Sequence, residues 1–227
     1  MRLDFLWDGR AQPTRGPKPA LSLKHIADAG IAIADAEGLG AVTMQRVADD
    51  LGFTKMSLYR YVAGKAELVA LMVERAIGEP PDISTTGWRV GLKEWAHHLL
   101  AAYLRHTWTL EALLGPRPVG PNELGWMERA VSILTATNLT GSERLDAIAV
   151  LAGHARSIAQ QSMVGRQPEE DIAAMIGEQL RRHGDRFPAL VATMATAATD
   201  GGHDQAFEFG LERILDGLDI LITQRAR

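Results

Sequence analysis

The amino-acid sequence predicts an all-α protein. Apolar residues recur every three or four positions along most of the 227-residue chain, Ala and Leu dominate, and runs of β-branched residues are short. No segment of useful length alternates apolar and polar residues in the way that predicts a strand. Breaks rich in Pro and Gly divide the chain into a tail at residues 1–20, a helical domain at 21–78 and a larger helical domain at 79–227.

The composition excludes several classes of protein. With 46% hydrophobic and 23% charged residues, the chain has the composition of an ordinary globular protein. It contains no cysteine, which excludes a disulfide scaffold, a thiol nucleophile and a cysteine-ligated metal. No apolar run approaches the ~20 residues of a membrane span, and the N-terminus lacks the apolar core of a signal peptide. We therefore expect a cytoplasmic protein that has no membrane partner.

The tail is basic and rich in proline. Residues 10–19 hold three prolines and three basic residues, and no acidic residue lies between Arg10 and Ala27. Such a segment does not bury enough apolar area to fold alone. Two interpretations stay open, a solvated tail or an arm that lies along a DNA backbone or minor groove.

Four short helices are predicted after the tail, at residues 22–38, 43–52, 54–61 and 65–77. Ser22 and Thr43 are favourable N-caps for the first two helices, and Gly38 and Gly52 end them. The positions predicted to be buried are Ile26, Ala29, Gly30, Ile33, Ala34, Val47, Ala48, Leu51, Leu58, Val62, Leu68, Leu71, Met72 and Ala76.

The second and third helices form a helix-turn-helix pattern over residues 43–62. Gly52 permits the positive φ that redirects the chain, and the small side chain of Ala48 lets the two helices approach closely. Phe53 and Leu58 supply the apolar wedge between them. In this motif the second helix lies in the major groove of DNA. The alternative is a plain helical hairpin that has a solvated polar face.

The residues exposed on this motif suit a nucleic acid. Between Gly52 and Ala66 there are three basic residues and no acidic one. Lys and Arg side chains bond guanine edges, and hydroxyl groups bond bases or phosphates. Thr43 and Lys65 begin helices, where free backbone amides and the helix dipole favour phosphate.

Residues 22–77 resemble the N-terminal domain of the TetR family of transcriptional repressors. The matching motifs are EGL at 37–39, A-x-x-L-G-x-T at 48–54, S-L-Y-x-Y at 57–61 and a basic residue before Glu67-Leu68. The resemblance implies an all-helical homodimer with a three-helix helix-turn-helix DNA-binding domain and a larger C-terminal domain for ligand binding and dimerisation. One departure is Gly64, where the family often has a polar cap, so we expect the helix at 65–77 to be capped by backbone alone.

The resemblance also implies which residues face DNA. Tyr59 and Lys65 would contact phosphates, and Lys55, Ser57 and Arg60 would contact base edges. The complete set of implied DNA-facing residues is Thr43, Gln45, Lys55, Ser57, Tyr59, Arg60, Tyr61 and Lys65.

In the larger domain, helices are predicted at residues 87–114, 121–137, 142–164, 168–183, 187–199 and 203–224. The last helix carries apolar residues in steps of four and three, a spacing typical of a helix-bundle seam, and its sequence resembles the last helix of the tetracycline-repressor-type C-terminal domain. Two such helices from each subunit would form a four-helix dimer interface. The alternative is packing within one chain. The predicted interface residues are Leu145, Ile148, Ala152, Ala155, Phe207, Leu211, Ile214, Leu218 and Leu221.

An aromatic-rich segment is the candidate ligand pocket. Four of the five tryptophans fall within residues 88–126, and aromatic walls with a few polar groups are typical of small-molecule sites. The alternative is that these rings form ordinary core. The candidate lining is Trp88, Trp95, His98, Tyr103, Trp108, Trp126, Met127 and His154. We expect no metal and no cofactor, because adjacent His97 and His98 point to different helix faces and no ligand spacing stands out.

The sequence therefore predicts a repressor that binds a palindromic double-stranded DNA operator as a homodimer and is released by an apolar or aromatic small molecule. The alternatives are a regulator of the same fold without an effector, and a helical adaptor. We expect no enzyme, since the G-x-G-x-x-G, P-loop, G-x-S-x-G and H-E-x-x-H motifs are absent. Residues 1–79 hold ten basic and ten acidic residues, so the net charge of −4 belongs to residues 80–227.

Overall fold

Helices account for the regular structure of the residues that the computed structural model describes, which are 4–7, 21–83, 87–163, 168–200 and 205–226. No strand occurs among them, which confirms the all-α class. The helices in chain order are α1 (Asp4–Trp7), α2 (Leu23–Glu37), α3 (Met44–Asp50), α4 (Lys55–Tyr59), α5 (Lys65–Ile77), α6 (Trp88–Arg105), α7 (Trp108–Ala112), α8 (Pro121–Leu134), α9 (Gly141–Gln161), α10 (Pro168–His183), α11 (Pro188–Asp200) and α12 (Ala206–Arg225).

Part of the predicted tail is helical. α1 is a single turn in which Leu6 is buried and Trp7 is exposed. The basic residues Arg10, Arg15 and Lys18 lie outside the described residues. Both interpretations of the basic segment therefore stand as hypotheses.

The predicted caps of the first helices are confirmed. The Ser22 hydroxyl accepts a hydrogen bond from the His25 amide at 3.2 Å, and the Thr43 hydroxyl accepts one from the Arg46 amide at 3.0 Å. Each such cap contributes about 1 kcal/mol. Gly38 and Gly52 have φ values of 83° and 71°, which explains why glycine ends α2 and α3.

The expectation that no side chain caps α5 is confirmed, since its N-cap Gly64 offers none. The carboxylate of Glu67 accepts a hydrogen bond at 2.8 Å from the amide of Ala63, the residue before the N-cap. Glu67 is buried, so this acidic group serves the helix start from inside the domain.

α2, α3, α4 and α5 share one apolar core. Ile26, Val47, Leu58, Leu68 and Met72 are among its fully or nearly fully buried side chains. The core also includes Trp108 and Ala112 of α7, so it extends beyond the first four helices that the sequence grouped together.

The single helix predicted at residues 87–114 is interrupted. α6 ends at Arg105, His106 takes a non-helical conformation with φ −137° and ψ 74°, and α7 begins at Trp108. The carboxylate of Asp35 in α2 lies 2.9 Å from His106 Nδ1 and accepts the Trp108 indole N–H at 2.7 Å. These contacts with a distant helix accompany the break, and periodicity along 87–114 carries no sign of them.

A second core lies between α6, α8, α9 and α12. Trp95, Leu134, Leu151 and Leu211 are buried there. The rings of Trp95 and Trp126 meet edge to face with centroids 6.3 Å apart. α9 begins with the capping box of Thr140 and Glu143, a feature that fixes its first turn.

Candidate DNA interface

The turn between α3 and α4 places α4 on the surface of the first core. The Phe53 amide donates to the Ala48 carbonyl at 2.9 Å, and Leu58 of α4 is fully buried. Thr54 caps α4 by accepting the Ser57 amide at 3.3 Å, and its hydroxyl lies 2.9 Å from the Ser57 hydroxyl. α4 is therefore held by its inner side chain and its cap, and its other side chains point outward.

The outward side chains of α4 and its C-cap carry the predicted base and phosphate contacts. Lys55, Tyr59 and Arg60 are exposed, and Ser57 is half-buried. The Lys55 ammonium lies 5.7 Å from the centroid of the Tyr59 ring, a cation–π arrangement that brings the two side chains together. Met56 is also exposed on α4, to 71%, and the sequence analysis did not single it out.

The remaining predicted contacts flank α4. Thr43 and Gln45 are exposed on α3, where the Thr43 hydroxyl caps its own helix and the Gln45 amide donates to Asp49 at 2.7 Å. Lys65 is exposed at the first position of α5. The exposed cations among the predicted contacts therefore belong to α4 with its C-cap and to the start of α5.

Tyr61 is placed differently from the other predicted contacts. It is half-buried against the first core, and its hydroxyl donates to the Leu21 carbonyl at 3.0 Å. This bond ties the residue after α4 to the segment that precedes α2. The structure thus gives Tyr61 a hydrogen bond within the domain, and the DNA contact that the resemblance implies for this residue stays a prediction.

The eight candidate pocket residues are not brought together. Trp95, Tyr103 and Trp126 belong to the second core, whereas Trp108 belongs to the first. The buried indole groups are satisfied internally, because Trp95 donates to the Trp126 carbonyl at 3.0 Å and Trp126 donates to the Gly78 carbonyl at 3.1 Å. For these rings, ordinary core is what the structure shows.

The other candidate pocket residues lie elsewhere on α6, α8 and α9. His98 and Met127 are exposed. The His154 ring stacks on Phe207 of α12 with centroids 5.4 Å apart, and its Nε2 lies 2.9 Å from the Phe207 carbonyl oxygen. His154 therefore supports the contact of α9 with α12.

Trp88 lines a groove of about 330 Å³ at the start of α6 and the end of α8. Ile83 and Ile133 give the groove apolar walls, and Arg129 and Ser132 give it polar groups. Its full lining among the described residues is Ile83, Gly87, Trp88, Arg129, Ser132, Ile133 and Ala136. Tyr103 instead lines a cavity of about 10 Å³ between α5, α6 and α7, which has room for no ligand.

The predicted dimer stripe packs largely within its own chain. Leu211 of α12 is fully buried in the second core, and Ile148 and Ala155 of α9 are buried there as well. Half-buried residues that pack against the same core are Ala152, Phe207, Ile214, Leu218 and Leu221. Leu145 alone of the predicted set is an exposed large apolar side chain, at 53%. The exposed apolar residues that the prediction missed on these helices are Val150, Phe209 and Ile220.

A carboxylate that the sequence analysis missed joins α5 to α8. Glu74 is 8% exposed, and its carboxylate accepts the Asn122 amide at 2.6 Å and the Glu123 amide at 3.4 Å. Asn122 donates in return to the Glu74 carbonyl at 2.9 Å. Burial raises the pKa of the Glu74 carboxyl above its ordinary value, although the two backbone amides act in the opposite direction. The only sequence feature that indicates this contact is Gly120, an N-cap residue that has no side chain to cap α8.

Comparison with known proteins assigns the fold and the interface to a family. Residues 26–72 match the model of bacterial regulatory proteins of the tetR family, and residues 80–222 match the tetracyclin repressor-like C-terminal domain.

No helix among the described residues is long and apolar enough to cross a bilayer.

The chain is 37% identical to the HTH-type transcriptional repressor DrrR1 of Streptomyces coeruleorubidus, over 98% of this chain and 86% of that protein. It is 29% identical to an HTH-type transcriptional regulator of Saccharopolyspora erythraea, over 88% of this chain and 86% of that one.

Solved structures with the same fold include ActR of Streptomyces coelicolor. Apo ActR aligns with a TM-score of 0.74 and 27% identity over 89% of this chain and 96% of that one. ActR in complex with actinorhodin aligns with a TM-score of 0.73 and 28% identity over 87% of this chain and 95% of that one. The chain therefore belongs to the TetR family of bacterial regulatory proteins, as a DNA-binding transcriptional repressor and not an enzyme.

Proposed function

We propose that the protein represses transcription by binding a palindromic operator as a homodimer, and that a small molecule releases it. The observation that carries this proposal is the seating of α4, whose buried Leu58 fixes it on the domain and leaves Lys55 and Tyr59 exposed, with Arg60 at its C-cap. A helix held in this way fits the major groove. A repressor must be in the same compartment as the DNA that it binds, and this agrees with the cytoplasmic location that the sequence predicts.

The proposed roles in the interface follow from side-chain chemistry. Lys55, Ser57 and Arg60 contact base edges, because amino, hydroxyl and guanidinium groups suit the donors and acceptors of the major groove. Tyr59 and Lys65 contact phosphates. Thr43 and Gln45 flank the groove from α3.

Fluorescence anisotropy on a duplex selected from a random pool tests these roles. Tyr59→Ala and Lys65→Ala should weaken binding to all sequences. Lys65→Ala removes a charge and should also reduce the salt slope of log K by about one at each subunit, whereas loss of the neutral Tyr59 hydroxyl should leave the slope unchanged. Lys55→Ala and Arg60→Ala should chiefly relax sequence preference. Arg181→Ala, which removes an exposed cation of α10, is the control. Unchanged binding in all four variants contradicts the assigned face.

A two-fold operator calls for a two-fold protein, and we place the dimer contact on the exposed apolar side chains of α9 and α12. Phe209 and Ile220 are 66% and 61% exposed within one chain, although α12 is otherwise packed on the second core. In sedimentation experiments, Phe209→Glu with Ile220→Glu should give a monomer that binds the operator weakly. Leu104→Glu, at an exposed apolar residue of α6, should remain a dimer.

We assign the effector to the groove beside Trp88. Its volume of about 330 Å³ falls within the range of small-molecule sites, and it combines an indole, two isoleucines and the Arg129 guanidinium. ActR of Streptomyces coelicolor, which has a similar fold, was solved in complex with actinorhodin, and this supports a small-molecule ligand here. A thermal-shift screen of aromatic compounds, with release of operator as the second readout, tests this assignment. A hit whose effect disappears in Trp88→Ala supports it, and a library without hits favours a regulator that has no effector.

A further inference from the structure

Met56 is exposed in a way that folding does not explain. Its side chain is 71% exposed, and within residues 21–83 the other exposed large apolar side chain is Tyr59, at 39%. Burial of a methionine side chain stabilises a folded protein, and at this position the chain forgoes that stabilisation. Single exposed apolar side chains are common on protein surfaces. What distinguishes Met56 is its place on the helix proposed to enter the major groove.

The position of Met56 on α4 gives the direction of that contact. Successive residues of a helix are turned by about 100°, so Met56 lies about 160° from Leu58, which is fully buried. Met56 therefore points almost directly away from the domain. Arg60, four residues later, follows on the same line, whereas Lys55 and Ser57 lie to the sides.

The major groove offers one kind of apolar group to such a side chain. The edges of the base pairs present donors and acceptors, and the 5-methyl group of thymine is the apolar exception. A methionine is unbranched and polarizable, so it adapts its shape to a small methyl target. It has no donor for a guanine edge, and its thioether is at most a weak acceptor.

We propose that Met56 helps determine the operator sequence by contacting the 5-methyl group of a thymine. This inference rests on the proposed binding of α4 in the major groove. It adds an apolar contact to the polar contacts of Lys55, Ser57 and Arg60.

Deoxyuridine substitution tests the contact, because uracil differs from thymine only by the missing methyl group. The full-length protein first selects a duplex from a random pool, and each thymine of its half-sites is then replaced in turn. At one position in each half-site we expect affinity to fall about three- to fivefold, the value of one buried methyl group. At the same position, a C·G pair should bind more weakly than a 5-methylcytosine·G pair, which restores the methyl group.

Variants of the protein connect this loss to Met56. Met56→Ala should bind thymine and uracil duplexes equally at that position, and Met56→Leu should recover part of the difference because it keeps an apolar side chain. Met175→Ala is the matched control, since Met175 is 72% exposed but lies on α10. Thermal unfolding of Met56→Ala should match that of the wild type, since the side chain is exposed.

Two results would overturn the inference. If the wild-type protein binds thymine and uracil duplexes equally at every position, it makes no methyl contact. If Met56→Ala still binds the uracil duplex more weakly, another residue makes the contact. In either case the proposed function keeps its own test: if α4 binds the major groove, Lys55→Ala and Arg60→Ala still change the selected sequence. Failure to select any duplex would overturn the proposed function together with this inference.

Discussion

At the scale of single residues, Gly30 is a position where helix packing leaves no room for a side chain. A Cβ atom added there would lie 2.7 Å from Met72 Sδ, and Met72 is fully buried between α2 and α5. We expect Gly30→Ala to lower the free energy of unfolding by about 1–3 kcal/mol, because overpacking outweighs the higher helix propensity of alanine. Denaturant unfolding monitored by circular dichroism measures the change.

Gly141→Ala is the control for that substitution. Gly141 is the first residue of α9, and an added Cβ would meet nothing within 4 Å. We expect this variant to be as stable as the wild type or slightly more stable. Equal effects of the two substitutions would show that α2 and α5 are not as tightly packed as described.

Glu74 makes the folded protein sensitive to pH. Burial raises the pKa of its carboxyl above the ordinary value of 4.5, so the folded state binds more protons than the unfolded chain. Stability should therefore fall as the pH rises from about 4.5 through the raised value. We expect the free energy of unfolding of the wild type, relative to Glu74→Gln, to decrease over this window. Urea unfolding at a series of pH values provides the comparison, and an increase with pH contradicts the sign.

The residues that the sequence predicted correctly are those that act locally. The hydroxyl groups of Ser22 and Thr43 each accept the backbone amide three residues later, and Gly52 permits a local turn. Tyr61 bonds Leu21, 40 positions earlier in the chain, and Glu74 bonds Asn122, 48 positions later. No local pattern contains these partners, because tertiary packing alone brings them together. Met56 was missed for another reason: the predicted DNA contacts were polar side chains, and a methionine has no hydrogen-bond donor.

At the scale of helices, Asp35 of α2 binds both sides of the break between α6 and α7. Its carboxylate binds the His106 ring and the Trp108 indole N–H, and Trp108 is 3% exposed. We expect Asp35→Ala to destabilise the protein by about 1–3 kcal/mol, since it leaves the indole N–H without its partner. In this variant, amide hydrogen exchange should speed up more in residues 106–112 than in α9, relative to the wild type.

A double-mutant cycle with Trp108→Phe separates this contact from general loosening. The phenyl ring keeps most of the apolar packing but has no N–H group. If the bond to Asp35 matters, the effect of Asp35→Ala should be smaller in the Trp108→Phe background. Fully additive effects would mean that Asp35 acts through His106 alone.

Periodicity predicted most helices within a few residues but did not predict where they connect. α5 runs over Lys65–Ile77, the range predicted from its spacing of apolar residues. The 87–114 pattern stays apolar through the break at His106, because both α6 and α7 bury a face. α7 divides its buried side chains between the two cores, with Trp108 in the first and Leu110 in the second. The stripe on α12 had the spacing of a bundle seam, and that spacing fits its packing against α6 and α9 of the same chain.

For the whole molecule, α5 is one physical connection between the DNA side and the second core. Lys65 lies at its start, and at its end Glu74 and Gly78 accept hydrogen bonds from Asn122 and Trp126 of α8. The charge distribution follows the same division, since the surplus of acidic residues lies in 80–227. The direction of α5 in each subunit should therefore set the distance between the two α4 helices of a dimer.

Gly120→Ala tests this connection without touching the DNA side. A Cβ at position 120 would lie 2.3 Å from Glu74 Oε2, so the carboxylate must leave the start of α8. We expect weaker operator binding with an unchanged base preference, because α4 itself is intact and only the spacing of the two copies changes. In a Glu74→Ala background the added methyl group meets no carboxylate, so Gly120→Ala should then have little further effect. Selection on operators whose half-sites lie at varied separations measures the preferred spacing. A variant that keeps the wild-type affinity and spacing would show that the junction of α5 with α8 does not position α4.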